Sequence, residues 1–179
     1  MWLSRLVAFL IGRETRASGQ SQKALFIIDM QKEFLHKHHP DEVTQMISAQ
    51  IELIRECKKR NVPIIVIEYK GSGSTIPELQ VELSGYRNLY FIVKKNNNAF
   101  LGTALRSFLE ELGVEEVILA GVNASYCVFE TAQSAVKYGL RIITSEKLIS
   151  DSPRNKRRDK SLWWYSRNGE LSLDIPRIS

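Results

Sequence analysis

The chain reads as a three-layer α/β/α sandwich built on a mostly parallel sheet of five or six strands. Three observations predict this. Continuous apolar runs of strand length recur at residues 24–30, 64–69, 89–94 and 117–121. Helical apolar spacing fills most of the intervals between them. The runs lack polar alternation, which fits strands covered on both faces, and strands joined through helices pair in parallel.

Each element follows from its residues. Ala24-Leu25-Phe26-Ile27-Ile28-Asp29-Met30 is a buried strand ending in an acid. Val43, Met46, Ile47, Ile51, Ile54 and Cys57 recur at helical spacing, and Lys58, Lys59 and Arg60 suit a helix C-terminus. Asn61-Val62-Pro63 breaks that pattern ahead of a second strand at 64–69. Residues 70–75, rich in Gly and Ser, form a flexible loop, and Pro77 opens a short helical piece. A third strand at 89–94 runs into the polar cluster Lys95-Asn96-Asn97-Asn98. Leu101, Ala104, Leu105, Phe108, Leu109 and Leu112 mark one helical face before Gly113. The strand ending at Gly121 leads to a helix beginning near Cys127 and closing at Gly139. A fifth strand starts at 141–144, a last helix covers 154–165, and 171–173 form an edge strand. The alternation predicts a single Rossmann-like domain at 24–179, with turns too short to hold a second one.

Composition narrows the function classes. With 179 residues, 44% hydrophobic and 25% charged, the chain is ordinary for a globular domain. Its formal charge of +5 sits at the two ends: residues 1–23 and 151–179 are basic, and the stretch between them is close to neutral. A nucleic-acid partner would call for a basic face on the folded body, so none is expected. Two cysteines, Cys57 and Cys127, make neither a disulfide framework nor a zinc spacing, which favours a reducing cytoplasmic setting. No apolar run is long enough to span a bilayer, so no integral membrane segment is expected. Residues 1–23 form an N-terminal extension, read either as a docking helix or as a targeting segment.

Three reactive side chains fall at the carboxyl ends of strands, where open parallel sheets bind ligands: Asp29, Lys94 and Cys127. Each alone has a plain explanation, as a turn acid, a solvated lysine and a small core filler. Their convergence on one rim of one sheet is what suggests chemistry. A cysteine in the first turn of a helix meets free N–H groups and the positive end of the dipole, which favour a thiolate. A neighbouring ammonium adds to that, and a carboxylate can accept the proton.

The motifs are specific. The run Ala24-Leu25-Phe26-Ile27-Ile28-Asp29-Met30-Gln31-Lys32-Glu33-Phe34, the run Val93-Lys94-Lys95-Asn96-Asn97-Asn98-Ala99-Phe100, and the run Ala120-Gly121-Val122-Asn123-Ala124-Ser125-Tyr126-Cys127-Val128-Phe129-Glu130-Thr131-Ala132 occur in that order. Together they resemble the isochorismatase-like cysteine hydrolases, which include nicotinamidases, N-carbamoylsarcosine amidases and isochorismatases. The likeness spans about residues 24–151. It implies Asp29 as general base, Lys94 as charge partner and Cys127 as nucleophile. It also implies a cis peptide between Val122 and Asn123, with the N–H groups of Asn123 and Cys127 forming an oxyanion hole. Gln31, Phe34, Tyr69, Asn98, Phe100 and Tyr126 are the candidate substrate-pocket residues.

Departures from the pattern matter as much. Nicotinamidases carry metal-binding histidines in the loop after the second strand, and here that loop, 70–75, has none. His36, His38 and His39 lie early, in a stretch read as a solvated loop, and Glu33 is read as orienting the site. No metal and no cofactor are therefore expected. The basic run 154–160, backed by Trp163, Trp164 and Tyr165, is a solvated helix face, a subunit contact, or a guanidinium source for an anionic substrate. The resulting expectation is a metal-independent hydrolase cutting a C–N bond of a small amide or ureido compound through a Cys127 acyl-enzyme. Two alternatives stay open: vinyl-ether hydrolysis with Asp29 as acid, and a non-catalytic binding or assembly subunit. Family likeness implies a homo-oligomer.

Overall fold

Apolar and β-branched runs form the strands of the computed structural model, which describes residues 22–178. The interior strands β1 (Lys23–Ile28), β2 (Ile64–Tyr69) and β4 (Glu116–Val122) are buried almost throughout, and β4 completely. With β3 (Leu89–Lys94), β5 (Arg141–Ser145), β6 (Ile149–Ser150) and β7 (Glu170–Ser172) they make one seven-stranded sheet in the order β3-β2-β1-β4-β5-β7. The strand pairs are parallel throughout. β5 follows β4 only along Glu116, Val117 and Ile118, and β6 takes over beside Gly121 and Val122.

The helices are α1 (Lys32–Leu35), α2 (Pro40–Lys59), α3 (Pro77–Leu83), α4 (Leu105–Leu112), α5 (Cys127–Lys137) and α6 (Arg158–Asn168). Proline opens α2 and α3, where a missing N–H costs nothing. Asp41 and Glu42 sit in the first turn of α2 and Lys58 and Lys59 in its last, matching the dipole at both ends. Met46, Leu53, Ile54 and Cys57 form its buried face, so Cys57 is a core residue. Right-handed crossovers running in opposite directions leave helices on opposite faces. α2 and α3, which touch, therefore cover one face, and α4 and α5 cover the other. Among the described residues, no helix is long and apolar enough to cross a membrane.

Three expectations need correction. The sheet has seven strands, because the two-residue β6 is too short to carry any periodicity. α4 begins at Leu105, since the Thr103 hydroxyl donates to the Ala99 carbonyl and Gly102 turns at φ 71°. The last helix runs from Arg158, because Asn155 holds a turn first, with its N–H on the Ser152 carbonyl and its Oδ1 accepting from Arg157 N–H. The docking or targeting reading of the N-terminal extension falls on residues 1–21, outside the described residues; Lys23 already belongs to β1.

The order of strands reverses between β1 and β4. That switch point is where a crevice opens in a sheet of this kind.

Candidate active site

Asp29 follows the last residue of β1 and adopts φ 54°, a left-handed conformation uncommon outside glycine. Its N–H donates to the Ile67 carbonyl at 2.9 Å, which fixes it over the sheet edge. Close beneath, Gly121 of β4 pairs with Ile28, and a Cβ at Gly121 would lie 2.2 Å from the Ile28 carbonyl oxygen. Only glycine lets the two strands approach this closely at φ 147°.

Lys94 stands two strands away, and its length is what brings it in. It pairs in register with Tyr69, the last residue of β2, and its ammonium passes 4.8 Å from the Tyr69 ring centroid. Nζ then reaches Asp29 Oδ2 at 2.7 Å and the Asn96 carbonyl at 3.2 Å. Both side chains are fully buried. A buried ion pair of this kind loses most of its hydration, so it is a costly arrangement for stability alone. The second carboxylate oxygen, Asp29 Oδ1, has no hydrogen-bond partner among the described residues.

Cys127 is the first residue of α5, and its side chain is nearly buried. Its thiol donates to Asn97 Oδ1 at 3.6 Å, and Asn97 is itself held by donation from Nδ2 to Glu130 Oε1 at 3.0 Å. The sulfur lies within electrostatic reach of both Asp29 and Lys94, so the three groups meet at one rim. Burial and then the Asp29 charge push the Cys127 thiol up to about 12, and the Lys94 ammonium offsets only part of this. Burial and the Asp29 charge thus act against the thiolate that the helix N-terminus favours, and the Lys94 ammonium acts for it. Burial likewise raises the Asp29 carboxyl above its usual range, with Lys94 working against the rise.

The implied cis peptide is also corrected. No cis bond occurs among the described residues, and Asn123 turns the chain at φ 61° instead. Asparagine tolerates that region better than other non-glycine residues, so the turn needs no isomer change. The Asn123 carbonyl accepts from Tyr126 N–H and Val128 N–H, while the backbone N–H groups of Asn123 and Cys127 donate to no backbone carbonyl of the described residues. The turn is pinned by the buried Asp151, whose carboxylate accepts from Ser125 N–H at 3.2 Å, from the Ser125 hydroxyl and from Asn155 Nδ2 at 3.0 Å. Tyr165, fully buried, donates its hydroxyl to the Ala124 carbonyl at 2.7 Å.

The six pocket candidates divide. Phe34 and Tyr69 stack edge to face at 6.0 Å beside the ion pair, and Tyr126 precedes the sulfur-bearing residue with its ring partly exposed. Gln31 is fully buried and its amide is spent on backbone groups of Tyr69 and Gly73, so it ties β1 to the 70–75 loop. Asn98 binds Ser134 and caps Phe100 N–H, and Phe100 packs between Phe26 and Tyr138. Asn97, between the expected residues, is the one that touches the sulfur. A run of three asparagines gives no sign of which one faces inward.

Glu33 is exposed on α1 and does not orient the site. His36 and His39 are exposed as expected, but His38 is buried, with Nδ1 2.9 Å from the Ser150 hydroxyl and Nε2 unpartnered among the described residues. Burial lowers its pKa and holds the ring neutral. Among the described residues no group of three or more His, Cys, Asp or Glu side chains could hold a metal ion.

The isochorismatase domain model matches residues 23–171. The chain is 26% identical over 147 residues to isochorismatase domain-containing protein 2 of Danio rerio, covering 80% of this chain and 68% of that one. It is 26% identical over 157 residues to nicotinamidase 3 of Arabidopsis thaliana, covering 74% and 76%. Among solved structures, the MAR1 ribonuclease of Caenorhabditis elegans superposes with a TM-score of 0.75 at 24% identity, over 87% of this chain and 78% of that one, a likeness of fold. With the domain model matched across β1 to β7 and the three motifs gathered at one rim, the chain belongs to the isochorismatase family of hydrolases.

Proposed function

We propose that this protein hydrolyses a C–N bond of a small amide or ureido compound through an acyl-enzyme on Cys127, with no metal. The observation that supports it best is the pairing of an unshared buried carboxylate oxygen, Asp29 Oδ1, with a neutral thiol in electrostatic reach. A thiol pushed up to about 12 does not attack by itself, so its proton must leave as the bond forms. Asp29 takes that proton while sulfur adds to the carbonyl carbon. The oxygen gains the electron pair, and the N–H groups of Asn123 and Cys127 stabilise it. Asp29 then returns the proton to the departing nitrogen as the C–N bond breaks. Water attacks the thioester carbonyl, Asp29 accepts its proton and passes it to the departing sulfur, and the acid product leaves with the Cys127 thiol and the Asp29 carboxylate restored.

Lys94 works against the burial, its charge lowering the Asp29 pKa and so favouring the carboxylate form that accepts a proton. The metal-free reading rests on the 70–75 loop, which offers hydroxyls and one lysine where the nicotinamidases place histidines.

A second reading is favoured by one observation. The raised Asp29 pKa also suits a carboxylic acid that protonates a vinyl ether, which needs no sulfur. The two separate cleanly by mutation. For the amidase, Cys127→Ala abolishes turnover of an amide panel and the acyl adduct seen by mass spectrometry, and Asp29→Asn lowers kcat by roughly 10²–10⁴-fold. Vinyl-ether activity that survives Cys127→Ala and disappears in Asp29→Asn would establish the alternative.

A further inference from the structure

The loop after β3 carries three asparagines in a row, and each has its own task. The Asn96 carbonyl accepts from Lys94 Nζ at 3.2 Å, Asn97 reaches Cys127, and Asn98 Nδ2 donates to the Ser134 hydroxyl at 2.8 Å. Their partners on α5 are Cys127, Glu130, Thr131 and Ser134, whose spacing puts them on one helical face. Thr131, fully buried, accepts from Ala99 N–H at 3.0 Å and donates to the Asn97 carbonyl at 3.5 Å. Asn97, half-buried, is therefore held at its backbone as well as at its side chain.

Glu130 decides which end of the Asn97 amide faces the sulfur. A carboxylate oxygen accepts, so Glu130 Oε1 takes the Nδ2 end at 3.0 Å, and the Oδ1 end is turned to Cys127, 3.6 Å from Sγ. The result is an acceptor, not a donor, beside the proposed nucleophile. A carbonyl carbon settling on the sulfur would displace the thiol proton towards Asp29 and release Asn97 Oδ1 for a new donor. An amide brings that donor. Its oxygen suits the N–H groups of Asn123 and Cys127, and its nitrogen side suits two acceptors, Asn97 Oδ1 and the unshared Asp29 Oδ1. An ester would meet the same N–H donors but would set an oxygen without a proton against Asn97 Oδ1.

We propose that Asn97 Oδ1 reads the N–H of the substrate's leaving nitrogen, with Glu130 as the positioning residue that keeps the acceptor end inward. The substrate class narrows to amides and ureido compounds that keep at least one hydrogen on that nitrogen, and esters and fully substituted amides are disfavoured. A site shaped to hydrogen-bond an N–H rejects an analogue without one, because its own polar group is then left unpaired. This deepens the reading of Cys127 as nucleophile and rests on it.

The test compares 4-nitroacetanilide with 4-nitrophenyl acetate, which differ only in NH against O. Asn97→Leu nearly keeps the size of the side chain and removes the acceptor. It should lower kcat/KM for the anilide about tenfold more than for the ester. Glu130→Lys offers a donor in place of an acceptor, reverses the Asn97 amide and should produce the same selective loss. Asn97→Asp combined with Glu130→Gln exchanges donor and acceptor across the link, keeps an oxygen towards the sulfur and should restore the preference. Equal losses on both probes would make Asn97 a structural residue and overturn the proposal. A labelling arm needs no turnover: alkylation of Cys127 by 2-chloro-N-methylacetamide and by methyl chloroacetate is followed by mass spectrometry. The ratio of the two rates is divided by the same ratio for N-acetylcysteine. Wild-type protein should give a quotient of about five in favour of the amide reagent, and Asn97→Leu should bring it to about one. A wild-type quotient near one overturns the N–H assignment. An Asn97-dependent quotient in a protein that turns over neither probe would keep the assignment and remove the acyl-enzyme reading instead. Thermal unfolding checks the fold of each variant, and Glu130→Lys, at a half-buried position, carries both comparisons if Asn97→Leu does not fold.

Discussion

Asp29 carries two opposing influences, and their balance can be measured. Burial raises its pKa and Lys94 lowers it, with burial the larger. A base must be ionised to act, so kcat/KM should fall as pH drops through this pKa, on a limb standing above the ordinary value of 3.8. A pH–rate profile that stays flat down to that value would remove Asp29 as the base. The pair also has a stability signature. Lys94→Met leaves a buried carboxylate without its partner and should cost about 3–5 kcal/mol in denaturant unfolding. Asp29→Asn combined with Lys94→Met should be less destabilised than Lys94→Met alone, because no charge is then stranded. Asp29, Lys94 and Cys127 were legible from their places at strand ends. Asn97 was not, because its importance depends on Glu130, 33 residues later, turning it towards the sulfur. The burial of Cys127 was not legible for a related reason: a helix N-terminus is visible in a sequence, whereas the depth of burial around it is not.

The turn between β4 and α5 is where local chemistry and packing meet. Gly121 sits against β1 so closely that a methyl group would collide with the Ile28 carbonyl. Gly121→Ala should therefore separate the ends of β1 and β4 and destabilise the fold by about 3 kcal/mol, the upper end for overpacking. The same change should reduce turnover, since Asp29 and Cys127 ride on those two strands; thermal unfolding and kinetics together check it. An alanine variant of wild-type stability would show that the strands can part without cost. The element pattern was legible because the apolar runs are long and regularly spaced. The trans turn at Asn123, the two-residue β6 and the late start of α6 were not, since each depends on partners brought by other segments: Ser150 for Ala124, Asp151 for Ser125.

Across the molecule, burial of ionisable groups predicts how stability responds to alkali. Cys57 and Cys127 are both pushed up to about 12, against an ordinary 9.0 in the unfolded chain. Between those values the unfolded state releases the thiol protons while the folded state keeps them, so the folded state binds more protons and stability falls as pH rises. Well below pH 9 neither thiol contributes to the slope. The decline should approach about 1.4 kcal/mol per pH unit for each thiol above that point. Tyr165, raised by burial from its ordinary 10.0, steepens it further at higher pH. Cys57→Ala should remove the contribution of one thiol from the slope, whatever it does to the absolute stability. Urea unfolding at a series of pH values measures both, and an unchanged slope would show that Cys57 is not protected.

The order of apolar runs, their helical intervals and three short motifs were enough to specify the architecture and to place Asp29, Lys94 and Cys127 at one rim, because periodicity and strand-end position are properties of neighbouring residues. Which asparagine meets the sulfur, how deeply the thiol is buried and how the nucleophile turn is pinned were settled only by folding. Those depend on desolvation and on contacts between segments far apart along the chain, and neither exists until the sheet has closed around them.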